Sequence, residues 1–598
     1  MAGEDPRDLL LRCALANAVK HGGVPQAGAV IGMAMGANPD LRSRAKDVPA
    51  LARDVIAEVA ALTPDQRKKK LEEIAPEMVA ALSEKHEHKK VLPEFEDVKD
   101  GVVMRFAPNP SGPLHIGHAR AAVLNDAYVK MYGGRYILRI EDTDTKRVDP
   151  EAYETVVEDI RWLGLGITET VYQSDRLPPY YDICRQLIER GGAYVCTCDN
   201  ERFKELKMAK QACPCRSQTA EQNLALWEKM LAHGFAEGEV TVRIKTDLIH
   251  PDPAMRDFPA FRVLDSPTNP RKPDAFVYPL MNFSVVADDH LLGVTHVIRG
   301  KDHIANTRRQ RYIYDHMGWK VPVYRHYGRM GIEGVVLSTS QMRLGIKEGT
   351  YTGWDDIRLG TLRALARRGI LPEAVKNAML AIGIGETDIS FSWDNLYAEN
   401  KKIIDPVANR YFFVPDPVTI MIHAAPQLTT KALLHPADEK RGVRTLAFTG
   451  AAIVPAAELA DKTRTLIRLK DLFNVSLEYD HGRPHMTYAG DSLADARAAK
   501  APIIQWLPVA DQIPCSLRTP EGDVTGACEP AVAQELGKVV QFERVGFARI
   551  DSVTERVFWR ISRISNLIQD PVSERGWPPS PPPEPPPRPS TTTLPPTS

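Results

Sequence analysis

A chain of 598 residues is too long for one ordinary hydrophobic core and is expected to divide into about three to five domains. With 43% hydrophobic and 26% charged residues it has the make-up of a folded, soluble protein, and no apolar run approaches the roughly 18 residues of a membrane span. The formal net charge of −1 excludes a globally basic binder, so any polyanion must be held by local basic faces.

In chain order, the opening MAGEDPRDLLLRC carries acid where a secretory signal carries base, and its apolar run is too short for a signal core. A cytoplasmic location without membrane attachment is expected. Residues 1–98 read as a helical N-terminal region, in which Thr63 caps a helix with Pro64 at its first position and a basic stretch at its end. From Gly101 short apolar strands alternate with amphipathic helices: GVVMRFA, then HARAAVLNDAYVKMYG, RYILRIED and EAYETVVEDIRWLGL. That alternation predicts parallel strands with crossover helices, a doubly wound sheet. Its first half is expected over 99–190, an inserted module over 191–275 and a second half over 276–350. A helical region follows over 351–405, with arginines at 358, 363, 367 and 368. Over 406–565 short β-rich runs alternate with Gly, Pro and Asp turns, as in barrels or sandwiches. Residues 571–598 are rich in proline and are expected to form a disordered tail.

The stretch RFAPNPSGPLHIGHAR, Arg105 to Arg120, ends a strand on Pro108 and Pro110, turns at Gly112 and Pro113, and opens a helix at His115. Strand, turn and helix N-terminus in that order make an anion site, because the first N–H groups and the helix dipole face the same point. His115 and His118 share one face of the new helix, where both imidazoles can donate to the same phosphate oxygens. Gly117 between them lets a flat ring approach the backbone. Two CxC pairs, Cys196 with Cys198 and Cys213 with Cys215, can close a tetrahedral structural zinc site, the other reading being four free thiols.

PNPSGPLHIGH resembles the first signature of class I aminoacyl-tRNA synthetases. Together with RIEDTD at Arg139 to Asp144 and DDHLLGVTHVIRGKDH at Asp288 to His303, it resembles the glutamyl and glutaminyl branch in its archaeal form, over about residues 70–560. The resemblance implies a multi-domain α/β protein: a helical N-terminal region, a Rossmann-like doubly wound catalytic domain with an acceptor-binding insertion, a helical stem-contact region and a C-terminal β-barrel anticodon-binding domain. It implies ATP with Mg²⁺ as cosubstrate, held by Pro108, Asn109, Pro110, Ser111 and Gly112, by His115, Gly117 and His118 as the catalytic set, and by Ser338, Thr339 and Ser340 of a second loop, VVLSTSQMR. Zinc in the insertion through a CxC arrangement also occurs in the family.

A γ-carboxylate wants a guanidinium and a γ-amide does not. Arg105 and Arg299 stand where glutamyl enzymes place substrate arginines, and Glu141 suits the substrate α-ammonium; the glutaminyl members resemble DDTN at EDTD and are not basic at 299. The expected reaction is therefore activation of L-glutamate with ATP and transfer to tRNA(Glu), with tRNA(Gln) left open as a second acceptor and the protein expected as a monomer. Arg308, Arg309, Arg363 and Arg367 are the expected tRNA contacts. The alternatives are a glutaminyl ligase, or a tRNA-binding protein with weakened catalysis. Two positions depart from the family. Met281 stands for its substrate tyrosine, leaving Tyr278 or Asn282 to serve; Gln341 stands for the lysine of the second loop, leaving Arg343 and Lys347 as the nearest cations.

Overall fold

The computed structural model describes residues 5–21, 23–38, 41, 47–83, 92–332, 334–460, 465–552 and 560–563. The expected tail at 571–598 and the basic stretch from 84 lie outside them. The chain divides into two units, Met1–Lys90 and Val91–Ser598.

Among the described residues the first unit holds five helices: α1 (Pro6–His21), α2 (Ala27–Ala37), α3 (Val48–Ala60), α4 (Pro64–Ile74) and α5 (Pro76–Ser83). On α3, Val48, Ala52, Val55 and Val59 recur at helical spacing and are buried together. Thr63 caps α4 in a reciprocal box: its hydroxyl accepts from Gln66 N at 3.3 Å, and Gln66 Oε1 accepts from Thr63 N at 2.9 Å. Pro76 has no N–H to continue that helix, so a second helix starts there. The Arg67 side chain donates to Val59 O and Ala60 O, each at 2.9 Å, and so closes the end of α3.

The second unit opens with β1 (Val102–Phe106), α6 (Ile116–Tyr132), β2 (Gly134–Ile140), α7 (Ala152–Trp162), β3 (Glu169–Tyr172) and α8 (Leu177–Glu189). The three strands pair in parallel, in the order β1-β2-β3. An inserted module follows: β4 (Ala193–Cys196), α9 (Asn200–Met208), α10 (Ala220–Leu231), β5 (Thr241–Ile244), β6 (Pro259–Val263) and β7 (Val277–Pro279), whose strands form one antiparallel sheet. The winding resumes with α11 (Met281–Leu291), β8 (His296–Gly300), α12 (Ile304–Met317) and β9 (Val323–Tyr327), again parallel.

Val103 joins the halves: its carbonyl accepts from Thr295 N at 2.9 Å, and its N–H donates to Thr295 Oγ1 at 2.9 Å. From β1 the chain winds one way to β2 and β3, and from β8 the other way to β9. The crevice beyond the carboxyl ends of β1 and β8 is thus the switch point at which such sheets bind ligands.

Beyond it come β10 (Met330–Ile332), α13 (Thr339–Lys347), α14 (Leu362–Arg367), α15 (Pro372–Ile382), β11 (Ile389–Phe391) and α16 (Trp393–Ile404). From Arg410 the described residues form two seven-stranded sheets and a two-stranded antiparallel ribbon of Leu428–Leu433 with Val443–Phe448. Strand Val443–Phe448 shows strict alternation of exposed and buried positions, the mark of a sheet with one wet face. No helix among the described residues is long and apolar enough to cross a membrane.

Candidate active site at the sheet switch point

Because Pro108 and Pro110 cannot donate to a ladder, β1 ends and the chain turns toward α6. His115 is the N-cap of α6 in extended conformation. Its Nδ1 accepts from Gly117 N at 3.1 Å, while His118 Nδ1 accepts from His115 N at 3.3 Å. With both Nδ1 atoms accepting, each neutral ring carries its proton on Nε2. Burial pushes His118 down to about 4; burial and then the charge of His118 push His115 well below the ordinary histidine value. The rings stack with centroids 3.7 Å apart. At neutral pH they offer two aimed N–H groups and no net charge. Gly117 lines the cavity, and a Cβ there would also stand 2.9 Å from His115 Nδ1, so the protein's own ring already requires glycine at this position.

This N-terminus is held from behind. Leu114 N donates to Asp159 Oδ2 at 2.7 Å, Ile116 N to Gly360 O and Leu362 N to Leu114 O, both at 2.9 Å. Burial pushes the Asp159 carboxyl up to about 7, against the pull of the Leu114 N–H and of Arg363. A Cβ on Gly112 would lie 2.6 Å from Thr339 Cγ2, so only glycine lets the turn touch the second loop. There Ser338 stands at the N-cap position of α13 without a side-chain capping bond, its hydroxyl lies 3.0 Å from that of Ser340, and Gln341 is exposed. Arg343 donates to Ser111 O and, at 2.7 Å, to Asp149 Oδ2.

A cavity of about 260 Å³ lies at the switch point, and Arg105, Asn109, His118, Asn125, Glu141 and Arg299 reach it. Fully buried Arg139 donates to Asp289 Oδ1 at 2.6 Å and to Glu141 Oε1 at 2.9 Å, and Arg105 Nε donates to the same Asp289 oxygen at 3.2 Å. Burial alone would raise Asp289; the two guanidiniums outweigh it and hold the carboxyl below its ordinary value. Arg299 differs. It is 8% exposed, donates to Thr307 Oγ1 and Gln310 Oε1, both at 2.7 Å, and lies over the Tyr324 ring at 4.7 Å. Burial lowers it to about 10, which still leaves it charged at neutral pH. Among the described residues no carboxylate stands within ion-pair distance of it. A buried cation without a counter-ion is costly unless a ligand supplies one.

The sequence reading missed Asn125. Its Oδ1 is buried without a protein partner, as is Asn109 Oδ1, and both residues line the cavity. The signal was the i, i+4, i+8 face of α6, on which Gly117, Ala121 and Asn125 all reach the cavity. Met281 lines the cavity, whereas its two expected substitutes do not. Tyr278 is fully buried and donates to Lys272 O at 2.9 Å; Asn282 stands behind Arg299, accepting from Gln310 Nε2 at 3.3 Å.

The arginines expected to face tRNA are mostly engaged within the chain. Arg308 is exposed, but Arg309 donates to Ala254 O at 2.8 Å and Asn306 Oδ1 at 3.0 Å. Arg363 pairs with Glu158 and lies 3.4 Å from Asp159, and Arg367 pairs with Asp551 at 2.8 Å and Asp355 at 3.1 Å. Helix α14 is thus lined with acidic partners and does not present a free basic stripe.

In the insertion, the sulfurs of Cys196, Cys198, Cys213 and Cys215 all lie within 4.8 Å of one another, 3.6 Å for Cys198 with Cys215 and 4.0 Å for Cys196 with Cys213. A tetrahedron with zinc–sulfur bonds of about 2.3 Å has edges of about 3.8 Å. The four thiols fit that ion.

The family described as tRNA synthetases class I (E and Q), catalytic domain, matches residues 101–406. Two anti-codon binding domain models of the same family match 408–488 and 503–551. The glutamate–tRNA ligase of Methanoregula boonei is 64% identical over 624 residues, covering 93% of this chain and 98% of its own. That of Methanoculleus marisnigri is 63% identical over 548 residues, 92% and 97%. That of Methanocaldococcus jannaschii is 51% identical over 545, 91% and 97%.

Proposed function

The chain belongs to the class I tRNA synthetases of the E and Q branch, and from that premise we propose that it is a glutamate–tRNA ligase, forming glutamyl-adenylate from L-glutamate and ATP and passing the glutamyl group to tRNA. The observation that carries the amino-acid choice is Arg299, a buried guanidinium in the cavity with no carboxylate of its own. A glutamate side chain supplies the missing charge; glutamine does not.

The α-carboxylate oxygen of glutamate attacks the α-phosphorus of ATP as the bond to the bridging oxygen breaks and diphosphate leaves. The Nε2–H groups of His115 and His118 face the charge that develops, and one such donor is typically worth about 10²–10³ in rate. Being neutral and held by their Nδ1 atoms, the imidazoles need no reorganisation to donate. Glu141, oriented by Arg139, receives the substrate α-ammonium, and Arg105 and Arg299 face its γ-carboxylate. Mg²⁺ accompanies ATP and offsets triphosphate charge. In the second step a hydroxyl of the terminal tRNA ribose attacks the glutamyl carbonyl and AMP leaves. Cys196, Cys198, Cys213 and Cys215 would hold zinc, which there supplies structure to the insertion and no chemistry.

Diphosphate exchange in the presence of tRNA(Glu) tests this reading. Glutamate is expected to support exchange and glutamine not, and Arg299→Gln to lower kcat/KM for glutamate by about 10²–10³, the scale of removing one partner of a buried pair. Equal exchange with glutamine would overturn the assignment.

A further inference from the structure

Gln341, in the first turn of α13 where the second loop enters it, is a neutral side chain that cannot offset phosphate charge. Among the described residues, Arg343 is the cation that hydrogen-bonds the turn leading into α6, through Ser111 O. It shares a face of α13 with Thr339, which packs against Gly112 of that turn. Lys347 lies a further turn along, about 6 Å down the helix axis.

Arg343 is held loosely. Its side chain is 46% exposed and that of Asp149 21%, and a pair so wetted adds little to holding the arginine in place. Asp149 is fixed independently, its N–H donating to Pro110 O at 2.8 Å and its Oδ1 accepting from Glu151 N at 3.1 Å. Only Oδ2 is occupied by the arginine. A triphosphate arriving at the turn carries more charge than that single carboxylate and competes for the same guanidinium.

Resting on the ligase reading, we infer that Arg343 supplies the cation that Gln341 lacks: it rests on Asp149 Oδ2 in the free protein and moves onto the β- and γ-phosphates when ATP enters. It then stabilises the departing diphosphate. Asp149 is a positioning residue that keeps the guanidinium at the turn.

Equilibrium titration with Mg·ATP and with AMP tests this, because AMP lacks the two phosphates concerned. Arg343→Gln is expected to weaken ATP about 10- to 100-fold, the scale of a charge-assisted bond, and to leave AMP unchanged. In a Gln341→Lys background the same substitution is expected to cost less than threefold. Asp149→Asn, which keeps the bond to Glu151 N and frees the arginine, is expected to tighten ATP two- to threefold. Equal weakening of ATP and AMP would show a clamp on the turn and overturn the inference, as would unchanged ATP binding or weaker ATP binding by Asp149→Asn. Wild-type charging of tRNA(Glu) with glutamate is measured beside it. Failure there removes the ligase reading, while the ATP-to-AMP contrast still decides the role of Arg343.

Discussion

Two half-buried neutral imidazoles at one helix N-terminus work by direction and not by charge, and that has a cost that pH exposes. His118 is pushed from an ordinary value near 6.5 to about 4. Its folded pKa is depressed, so the stability it contributes is present above about 6.5 and is lost as pH falls through about 4. The sum over that window is on the order of 3 kcal/mol. Asp159 has the opposite sign: its pKa is raised to about 7, so its contribution is present below the ordinary aspartate value near 4 and is lost as pH rises through 7. Asp159→Asn keeps an acceptor for Leu114 N without the buried charge. It is expected to raise the melting temperature at pH 8 and to leave it unchanged at pH 4; a lower melting temperature at pH 8 would mean that Arg363 more than offsets the burial.

The elements that position the site were the legible part of the sequence. Strand β1, α6, β2 and α7 lie where alternating apolar runs place them, because parallel strands are buried on both faces and read as continuous apolar segments. The capping of α4 by Thr63 was likewise local chemistry. Side-chain partners across long separations were not legible. Nothing near Arg363 or Arg367 announces Glu158 or Asp551, so arginines on a short helix read as an RNA face when tertiary packing gives them to carboxylates. Tyr278 was misjudged for a similar reason: sequence distance from Met281 does not tell which side chain of β7 faces the cavity and which the core. The cysteine module is an element whose own prediction is sharp. One zinc per chain is expected in purified protein, lost in Cys213→Ser, with an earlier melting transition for the insertion after chelation; a metal-free protein with native melting would contradict it.

At the scale of the whole second unit, α14 links distant parts. Its entry is hydrogen-bonded to Leu114 and Ile116 beside the first motif, and its last residue, Arg367, pairs with Asp551 of the C-terminal sheets. Side-chain exposures of 19% and 13% make that pair more than a surface contact. Arg367→Ala is expected to lower kcat/KM for tRNA about tenfold through loss of alignment, with ATP and glutamate binding unchanged; weakened glutamate binding would place the effect in the cavity instead. The central claim, that Arg299 awaits a carboxylate and the chain charges tRNA with glutamate, has one direct measurement: aminoacylation of purified tRNA(Glu) with labelled glutamate and, separately, labelled glutamine. Glutamyl-tRNA at ATP-dependent rates with no glutaminyl-tRNA is the expected result, and glutaminyl-tRNA formed at a matching rate, or no charging with either, would contradict the account.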